Sequence, residues 1–459
     1  MWVGTDAPPA DGSGLDQLGT GHTMTTVKTE RARATKGRLG LAEILLILAG
    51  GGQPPIKITA YDGSSVGPDD AELGVHLCTP RATTYLATSL GQLGIARSYI
   101  SGDLELRGVH PGNPYPVLDA LADLEFKQPS PQTLVNIVRS IGFKRLRPIS
   151  PPPEEAPPKW RRTAVGLRHS KARDADAIRH HYDVSNTFYE MVLGPAMTYS
   201  CAIYPNDEAT LEEAQENKYR LIFEKLRLQP GDRLLDVGCG WGGMVRYAAR
   251  RGVAGIGVTL STEQADWATK AIAAEGLSEL AEVRHCDYRD VREGEFDAIS
   301  SIGVSEHIGV KHYPEYFGTL KAKLRTGGLL LNQCITLADN SIYRGDAFTD
   351  RYVFPDGEIT GSGRVISEVQ QTGLEVLHEE DFRHHYAKTL RAWGQNLVDH
   401  WDEAVAEVGV GRAKVWGLYM AASVLGFERN LFQLHHVLAA KLGERGDDGG
   451  LPLRPWWQP

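Results

Sequence analysis

The sequence predicts an α/β protein: a doubly wound parallel sheet preceded by a smaller α+β domain. Three observations predict it. Residues 233–243 read Arg-Leu-Leu-Asp-Val-Gly-Cys-Gly-Trp-Gly-Gly, a short apolar strand running into a glycine turn. Strand-like and helix-like stretches then alternate as far as Gln333, the pattern of parallel strands joined by right-handed crossovers. Upstream, a proline-rich stretch sets apart a segment with strand and helix signals of its own.

The 459 residues suffice for two domains. Hydrophobic residues make up 42% and charged residues 23%, an ordinary globular balance. A net charge of −9 speaks against a nucleic-acid partner. Five cysteines lie scattered with no C-x-x-C pair, which reads as reduced thiols in a cytosolic protein. The early apolar run Leu41 to Ala49 carries Glu43 and is too short to span a bilayer. Residues 1–37 are expected to be disordered, without a signal-peptide pattern, and Met24 offers an alternative start.

Residues 38–147 are expected to form the N-terminal accessory domain. Leu39 to Leu48 reads as a helix. Ile56 to Tyr61 alternates like a strand and enters an Asp62-Gly63 turn. Thr83 to Leu93 and Pro116 to Phe126 read as helices. No catalytic constellation occurs in this domain.

Residues 148–174 read as a linker. Pro148, Pro151, Pro152, Pro153, Pro157 and Pro158 support neither a helix nor a central strand. Lys144, Arg145, Arg147, Lys159, Arg161, Arg162, Arg168, Lys171 and Arg173 make it and its flank basic, around Trp160. On an acidic chain such a cluster is either a solvated face or a contact with anionic phospholipid headgroups.

Residues 175–459 are expected to be catalytic. After the first strand come a helix from Met244 to Arg251 and strands Gly255–Thr259, Ala281–His285, Phe296–Ser301 and Gly328–Gln333. Helices near 262–275 and 312–325 separate them. Leu337 to Gly363 reads as a polar insertion forming part of a lid. Residues 411–441 read as one long helix, suited either to covering an apolar substrate or to packing the core.

In such sheets ligands bind at the carboxyl ends of the strands. That places Asp236 to Gly242, Thr259, Asp287, Gly303 to His307 and Gln333 together. Gly238, Gly240 and Gly243 satisfy G-x-G-x-x-G, a weak signal alone. A dinucleotide site wants an acid at the tip of the second strand, where this chain has Thr259-Leu260-Ser261. The third strand ends in Cys286-Asp287, an acid suited to an adenine amino group. The stretch resembles motif I of class I S-adenosylmethionine (SAM) methyltransferases, which have a Rossmann-like fold. The ribose contact then falls to Thr259, Gln264 or water. His180-His181, His384-His385 and His435-His436 lack ligand spacing, so no metal is expected.

Further segments carry a narrower resemblance. His181-Tyr182-Asp183-Val184-Ser185-Asn186 is followed by Phe188-Tyr189 and by Met197-Thr198-Tyr199-Ser200-Cys201-Ala202. Gly257-Val258-Thr259-Leu260-Ser261 with Gln264, then Gly303-Val304-Ser305-Glu306-His307, then His385-Tyr386 with Thr389-Leu390 come later. In this order they resemble the cyclopropane-fatty-acyl-phospholipid synthase family, which includes the mycolic acid methyltransferases. The likeness is greatest to the branch that makes tuberculostearic (10-methylstearic) acid.

The resemblance implies methyl transfer from SAM to the cis double bond of an oleoyl chain in a phospholipid. The product would be a 10-methylene branch, saturated by a flavin-dependent reductase partner; the alternative is a cyclopropane. It implies cofactor contacts from Tyr199, Ser200, Asp236, Gly238, Gly240, Gly242, Thr259, Leu260, Gln264 and Asp287. It implies a bicarbonate base held by Cys201, Gly303, Glu306, Gln333, Ile335 and Tyr386. Glu306 would fix the bicarbonate hydroxyl and Tyr386 would orient an oxygen. Gln333 stands where the family commonly has His, which implies weaker bicarbonate binding. The implied location is cytoplasmic, peripheral on the inner face of the cell membrane. Two other readings stay open: a small-molecule methyltransferase, and a non-catalytic lipid or SAM sensor. Oligomeric state is open as well.

Overall fold

A computed structural model describes residues 38–89, 91–124, 129–157, 173 and 185–458. The expected disorder of residues 1–37, the His181-Tyr182-Asp183 motif and the basic residues from Lys159 to Lys171 lie outside them.

The N-terminal unit carries a four-stranded sheet of β1 (Lys57–Ala60), β2 (Ser65–Val66), β3 (Gly74–Leu77) and β4 (Leu104–Arg107), in the order β2-β1-β3-β4. Helix α1 (Leu41–Leu48) buries Leu41, Ile44 and Leu45 against Ile56, Ile58, Val75 and Leu77. The single helix expected over 83–93 is two, α2 (Pro80–Thr88) and α3 (Gln92–Ile100). Ser89 leaves the helical region and Gly91 takes φ 78°, a left-handed value that favours glycine. Helices α4 (Tyr115–Ala122) and α5 (Pro131–Ile141) complete the unit.

The first part of the expected linker is packed rather than free. Glu155 is buried and accepts hydrogen bonds from Arg97 Nε at 2.6 Å and Arg97 Nη2 at 2.7 Å. Arg351 Nη2 at 2.5 Å and Tyr352 Oη at 3.0 Å reach the same carboxylate from the catalytic unit. Ala156 and Arg351 also exchange a backbone bond of 2.7 Å and a guanidinium bond of 2.8 Å. Arg173 is likewise buried, in a two-pronged pair with Asp356 at 2.7 and 2.9 Å. It therefore belongs to the core and not to the basic surface expected of it.

The catalytic sheet has seven strands. They are β5 (Arg233–Val237), β6 (Ala254–Thr259), β7 (Ala281–His285), β8 (Phe296–Ile302), β9 (Leu324–Leu337), β12 (Glu375–Asp381) and β13 (Phe432–Ala440). Their order is β12-β13-β9-β8-β5-β6-β7. Strands β5 to β9 are parallel, and the order reverses at β5 and β8, where the crevice opens. Strand β13 lies antiparallel between β9 and β12. The sheet is therefore mixed, and residues 411–441 are not one helix. The helical stretch α15 (Trp401–Glu428), broken at Gly409 with φ 79°, ends, Asn430 turns with φ 57°, and Phe432 to Ala440 enters the sheet. Nearly every residue of β13 is buried, so no alternation marks it as a strand in the sequence.

Four further helices shape the crevice. They are α6 (Asn186–Leu193), α7 (Leu211–Lys225), α8 (Gly243–Ala249) and α14 (Arg383–Asp399). Thr210 and Glu213 form a capping box that starts α7. The insertion after β9 folds as a hairpin of β10 (Ile342–Tyr343) and β11 (Ile359–Thr360) around a short helix, Ala347–Tyr352. Among the described residues no helix is long and apolar enough to cross a membrane.

The Glu155 cluster predicts a stability effect. Glu155→Ala would leave two mostly buried guanidinium groups without their carboxylate, costing about 2–4 kcal/mol, below the full penalty for a buried pair because both arginines keep some solvent contact. Chemical denaturation should show the loss; an unchanged midpoint would mean that water or other groups already neutralise them.

Candidate active site

Two cavities meet at the carboxyl ends of the strands. One, of about 1110 Å³, is lined by Asp236, Gly238, Gly240, Gly243, Thr259, Leu260, Gln264 and Asp287, with Tyr199 and Ser200. The other, of about 1000 Å³, is lined by Gly303, Glu306, Gln333, Ile335 and Tyr386 together with apolar and aromatic side chains. Tyr199, Ser200, Gly303 and His307 line both.

The first cavity is a glycine cradle. Gly238 takes φ 70°, and a Cβ there would sit 2.3 Å from Val304 Cγ2. Gly240 takes φ 54°, and a Cβ there would meet no protein atom within 4 Å. Gly242 differs from expectation: it is the N-cap of α8, and its Cβ would approach Ala268 and Val283 at 3.2 and 3.3 Å. It serves helix packing and does not line the cavity, whereas Gly243 does.

Asp236 is buried and accepts from Ser300 Oγ at 2.6 Å. Burial pushes its carboxyl up to about 7, against that bond and the ammonium of Lys218. Thr259 Oγ1 donates to Gln264 Oε1 at 2.6 Å, and Ser261 Oγ caps the helix that carries Gln264. Asp287 accepts from Arg289 N at 2.9 Å and Nε at 2.7 Å, so an arginine partners the acid at the third strand tip.

The loop between the cavities is fixed from two sides. From α7, Gln215 Nε2 donates to Ser200 O at 3.0 Å and Lys218 Nζ donates to Ser200 Oγ at 2.8 Å. Burial pulls the Lys218 ammonium down to about 7. From α14, Thr389 Oγ1 accepts from Ala202 N at 3.0 Å, and His385 Nδ1 accepts from Tyr204 N at 3.0 Å. Trp241 of the glycine loop donates to Asn186 Oδ1 at 2.8 Å, tying in α6. The sequence reading gives Cys201 a backbone or shape role at the site. It is fully buried in the core, lines neither cavity, and burial pushes its thiol pKa up. Side chains on its two neighbours hold the loop, so its own contribution is shape.

Glu306 stands in the helix Ser305–Ile308 after β8. Its Oε1 accepts from Ile335 N of β9 at 2.8 Å, and the carboxyl also takes hydrogen bonds from its own backbone and from the Ser305 side chain. Its Oε2 is buried and has no hydrogen-bond partner among the described residues. Burial pushes this carboxyl up to about 7. Gln333, on β9, turns Oε1 to His436 Nε2 at 2.8 Å. Aromatic rings surround the space: Tyr199, Tyr343, Phe354, Tyr386, Tyr419, Phe427 and Phe432. Tyr386 packs 4.7 Å from Phe427 and Tyr199 packs 5.3 Å from Trp393, between ring centres. Tyr343, Phe354 and Ile359 come from the insertion after β9 and line the cavity.

Residues 169–437 match the family model described as mycolic acid cyclopropane synthetase. The chain belongs to this family. It is 70% identical to a probable fatty acid methyltransferase of Mycobacterium tuberculosis over 427 residues, covering 93% of this chain and all of that one. It is 30% identical to the tuberculostearic acid methyltransferase UfaA1 of the same organism, over 83% of this chain and 86% of that one. The crystal structure of the mycolic acid cyclopropane synthase CmaA1 complexed with SAH superposes with a TM-score of 0.54 at 30% identity. That match covers 58% of this chain and 98% of CmaA1. This member of the mycolic acid cyclopropane synthetase family is a SAM-dependent methyltransferase with the class I Rossmann-like fold. The cradle fits the cofactor: Gly240 faces open cavity where a ligand, and no protein atom, limits the space.

Sequence reasoning missed Lys218, Tyr419 and His436. One signal was available for the first. Ala214, Gln215, Lys218, Ile222 and Lys225 share the buried stripe of α7, and charged residues on such a stripe are unusual.

The cradle predicts the effect of Gly240→Val. The branched side chain would fill cofactor space and strain a left-handed backbone. Calorimetry should find no S-adenosylhomocysteine binding in the variant and clear binding in the parent; equal binding would move the cofactor elsewhere.

Proposed function

We propose that this chain transfers the methyl of SAM to the cis double bond of an oleoyl-type chain in a phospholipid, leaving a 10-methylene branch. Glu306 carries the reading: it lines an aromatic, largely apolar cavity that adjoins the cofactor cradle, and its buried Oε2 has no hydrogen-bond partner among the described residues. A small polar substrate would not call for such walls, and a sensor would not call for a buried carboxylate held at one oxygen only.

SAM supplies an electrophilic methyl on a sulfonium. The chain's residues supply the rest. The loop Tyr199-Ser200 at the junction sets the approach of double bond and methyl, and the lid keeps water out. One alkene carbon bonds to the methyl as the sulfur–carbon bond breaks, and the neighbouring carbon becomes a cation. The faces of Tyr199, Tyr386 and Tyr419, with the Glu306 carboxylate, stabilise that cation. A hydride shift to the cationic carbon puts the charge on the methylated carbon. Loss of a methyl proton then gives the methylene; loss without the shift closes a cyclopropane. Glu306 and the Gln333 amide fit a bicarbonate ion, which would supply a base that resists methylation.

The length of the alignment supports the methylene branch. The chain aligns over most of its length with a tuberculostearic acid methyltransferase, and a separate flavin-dependent reductase would saturate the product. The cyclopropane reading draws on the family model and on CmaA1. Purified protein with SAM and oleoyl phospholipid, without reductant, should yield the methylene acid by gas chromatography–mass spectrometry. Cyclopropane alone would reverse the assignment. Removing Glu306 at a cost of about 4 kcal/mol lowers turnover roughly a thousandfold. Glu306→Gln should therefore lose activity and keep S-adenosylhomocysteine affinity; retained turnover would remove Glu306 from the chemistry.

An anionic membrane surface is the proposed partner. Phe143 is 77% exposed, Leu134 and Val135 of α5 are exposed, and Arg139 and Arg147 beside them are exposed too. Apolar side chains among cations suit insertion between acidic headgroups. Sedimentation with vesicles should need anionic lipid and weaken with salt, given a Debye length of roughly 8–10 Å. Equal sedimentation with neutral vesicles would leave these cations a solvated face.

A further inference from the structure

We propose that His436, Lys225 and Glu380 form a positioning chain that holds Gln333 with its amide NH2 turned into the acyl cavity as a fixed hydrogen-bond donor. The inference deepens the bicarbonate reading above and rests on it for the identity of the anion.

The chain follows from strand register. Gln333 of β9 is paired with His436 of β13, and His436 with Glu380 of β12, so the three lie in one row across three strands. Lys225, at the end of α7, reaches over this row. Its Nζ donates to Glu380 Oε2 at 2.5 Å and lies 3.4 Å from His436 Nδ1. Gln333, His436 and Lys225 are all buried to 1% exposure or less.

The chemistry fixes each proton in turn. An ammonium donates and cannot accept. His436 must therefore offer Nδ1 as an acceptor, which leaves its proton on Nε2. Nε2–H donates to the Gln333 atom at 2.8 Å, and that atom is therefore the amide oxygen. The amide nitrogen is the end left to face the cavity that Gln333 lines. Burial and the neighbouring Lys225 and Lys218 ammonium groups keep the His436 ring neutral. Phe382, 4.6 Å from the ring of His436, and Trp457, at 5.4 Å from Lys225 Nζ, cover His436 and Lys225, while Glu380 at the end of the row is partly exposed.

A hydrophobic row would hold these strands together more cheaply than a buried lysine, histidine and amide. Of this row, Gln333 lines the acyl cavity. It places a donor on the lining to which the acceptor Glu306 also belongs. A donor and an acceptor on one wall match an anion that carries a hydroxyl, and bicarbonate is such an anion. His436, Lys225 and Glu380 touch no substrate; they act through Gln333.

Nitrogen-15 histidine spectra of the full chain test the orientation, with the His436 signal assigned by its absence in His436→Asn. The expected result is a neutral ring with hydrogen on Nε2 from about pH 6 to about pH 8, the range around an ordinary imidazole pKa. Hydrogen on Nδ1, or an imidazolium, would overturn the proposal. Lys225→Met should release the tautomer. It should also raise the half-saturating bicarbonate concentration about tenfold, as loss of one oriented hydrogen bond to a charged group implies, while the KM for SAM stays unchanged. Unchanged tautomer and unchanged half-saturation would refute the chain. If Lys225→Met loses S-adenosylhomocysteine binding, the parent protein's tautomer decides alone. Parent activity indifferent to bicarbonate, with the Nε2 tautomer in place, would sink the bicarbonate reading and keep the orientation of Gln333.

Discussion

The proposed reaction forms a cation beside a carboxylate, in a space from which water has to be kept. That requirement governs the arrangement around Glu306. Its carboxyl is held at one oxygen by Ile335 N and left open at the other, and burial raises its pKa to about 7. Removing a carboxylate from water is costly unless it is paired. The backbone donors of Ile335 and Glu306 and the Ser305 side chain offer partial relief, and Oε2 keeps no partner among the described residues. The lid hairpin, the Tyr199 loop and the aromatic wall all serve to keep that space dry and shaped.

The sheet explains how distant segments reach this point. Parallel strands β5 to β8 bring the glycine cradle, Thr259, Asp287 and Gly303 to one rim. Strand β9 carries Gln333 and Ile335 to the same rim beside Glu306. The antiparallel β13 closes the far side and supplies His436. Helix α7 then ties the two halves, holding the Ser200 loop through Lys218 and the β12–β13–β9 row through Lys225.

Much of this was legible in the sequence, and the physical reasons for the rest are specific. The strand–glycine–helix stretch at Asp236 is local chemistry, so its geometry follows from adjacent residues. Glu306 and Tyr386 were found through motif resemblance, and both line the acyl cavity. Gly242 and Cys201 sit inside the same motifs yet face packing, because a motif records which residues recur and not which way each points. Strand β13 was hidden because burial on both faces erases alternation. Lys225 carries no local signal and Arg173 reads as part of a basic cluster, since their partners Glu380 and Asp356 lie far along the chain. Pairings of that kind come from topology, which no local pattern carries.

The most direct test follows the methyl carbon. Purified protein is given SAM labelled with carbon-13 in its methyl, together with an oleoyl phospholipid in anionic vesicles. The lipid is then examined by carbon-13 spectroscopy. The account predicts the label within the acyl chain, at an alkene-type methylene attached to the former double bond. Label in the headgroup, in a water-soluble acceptor or nowhere in the lipid would contradict it.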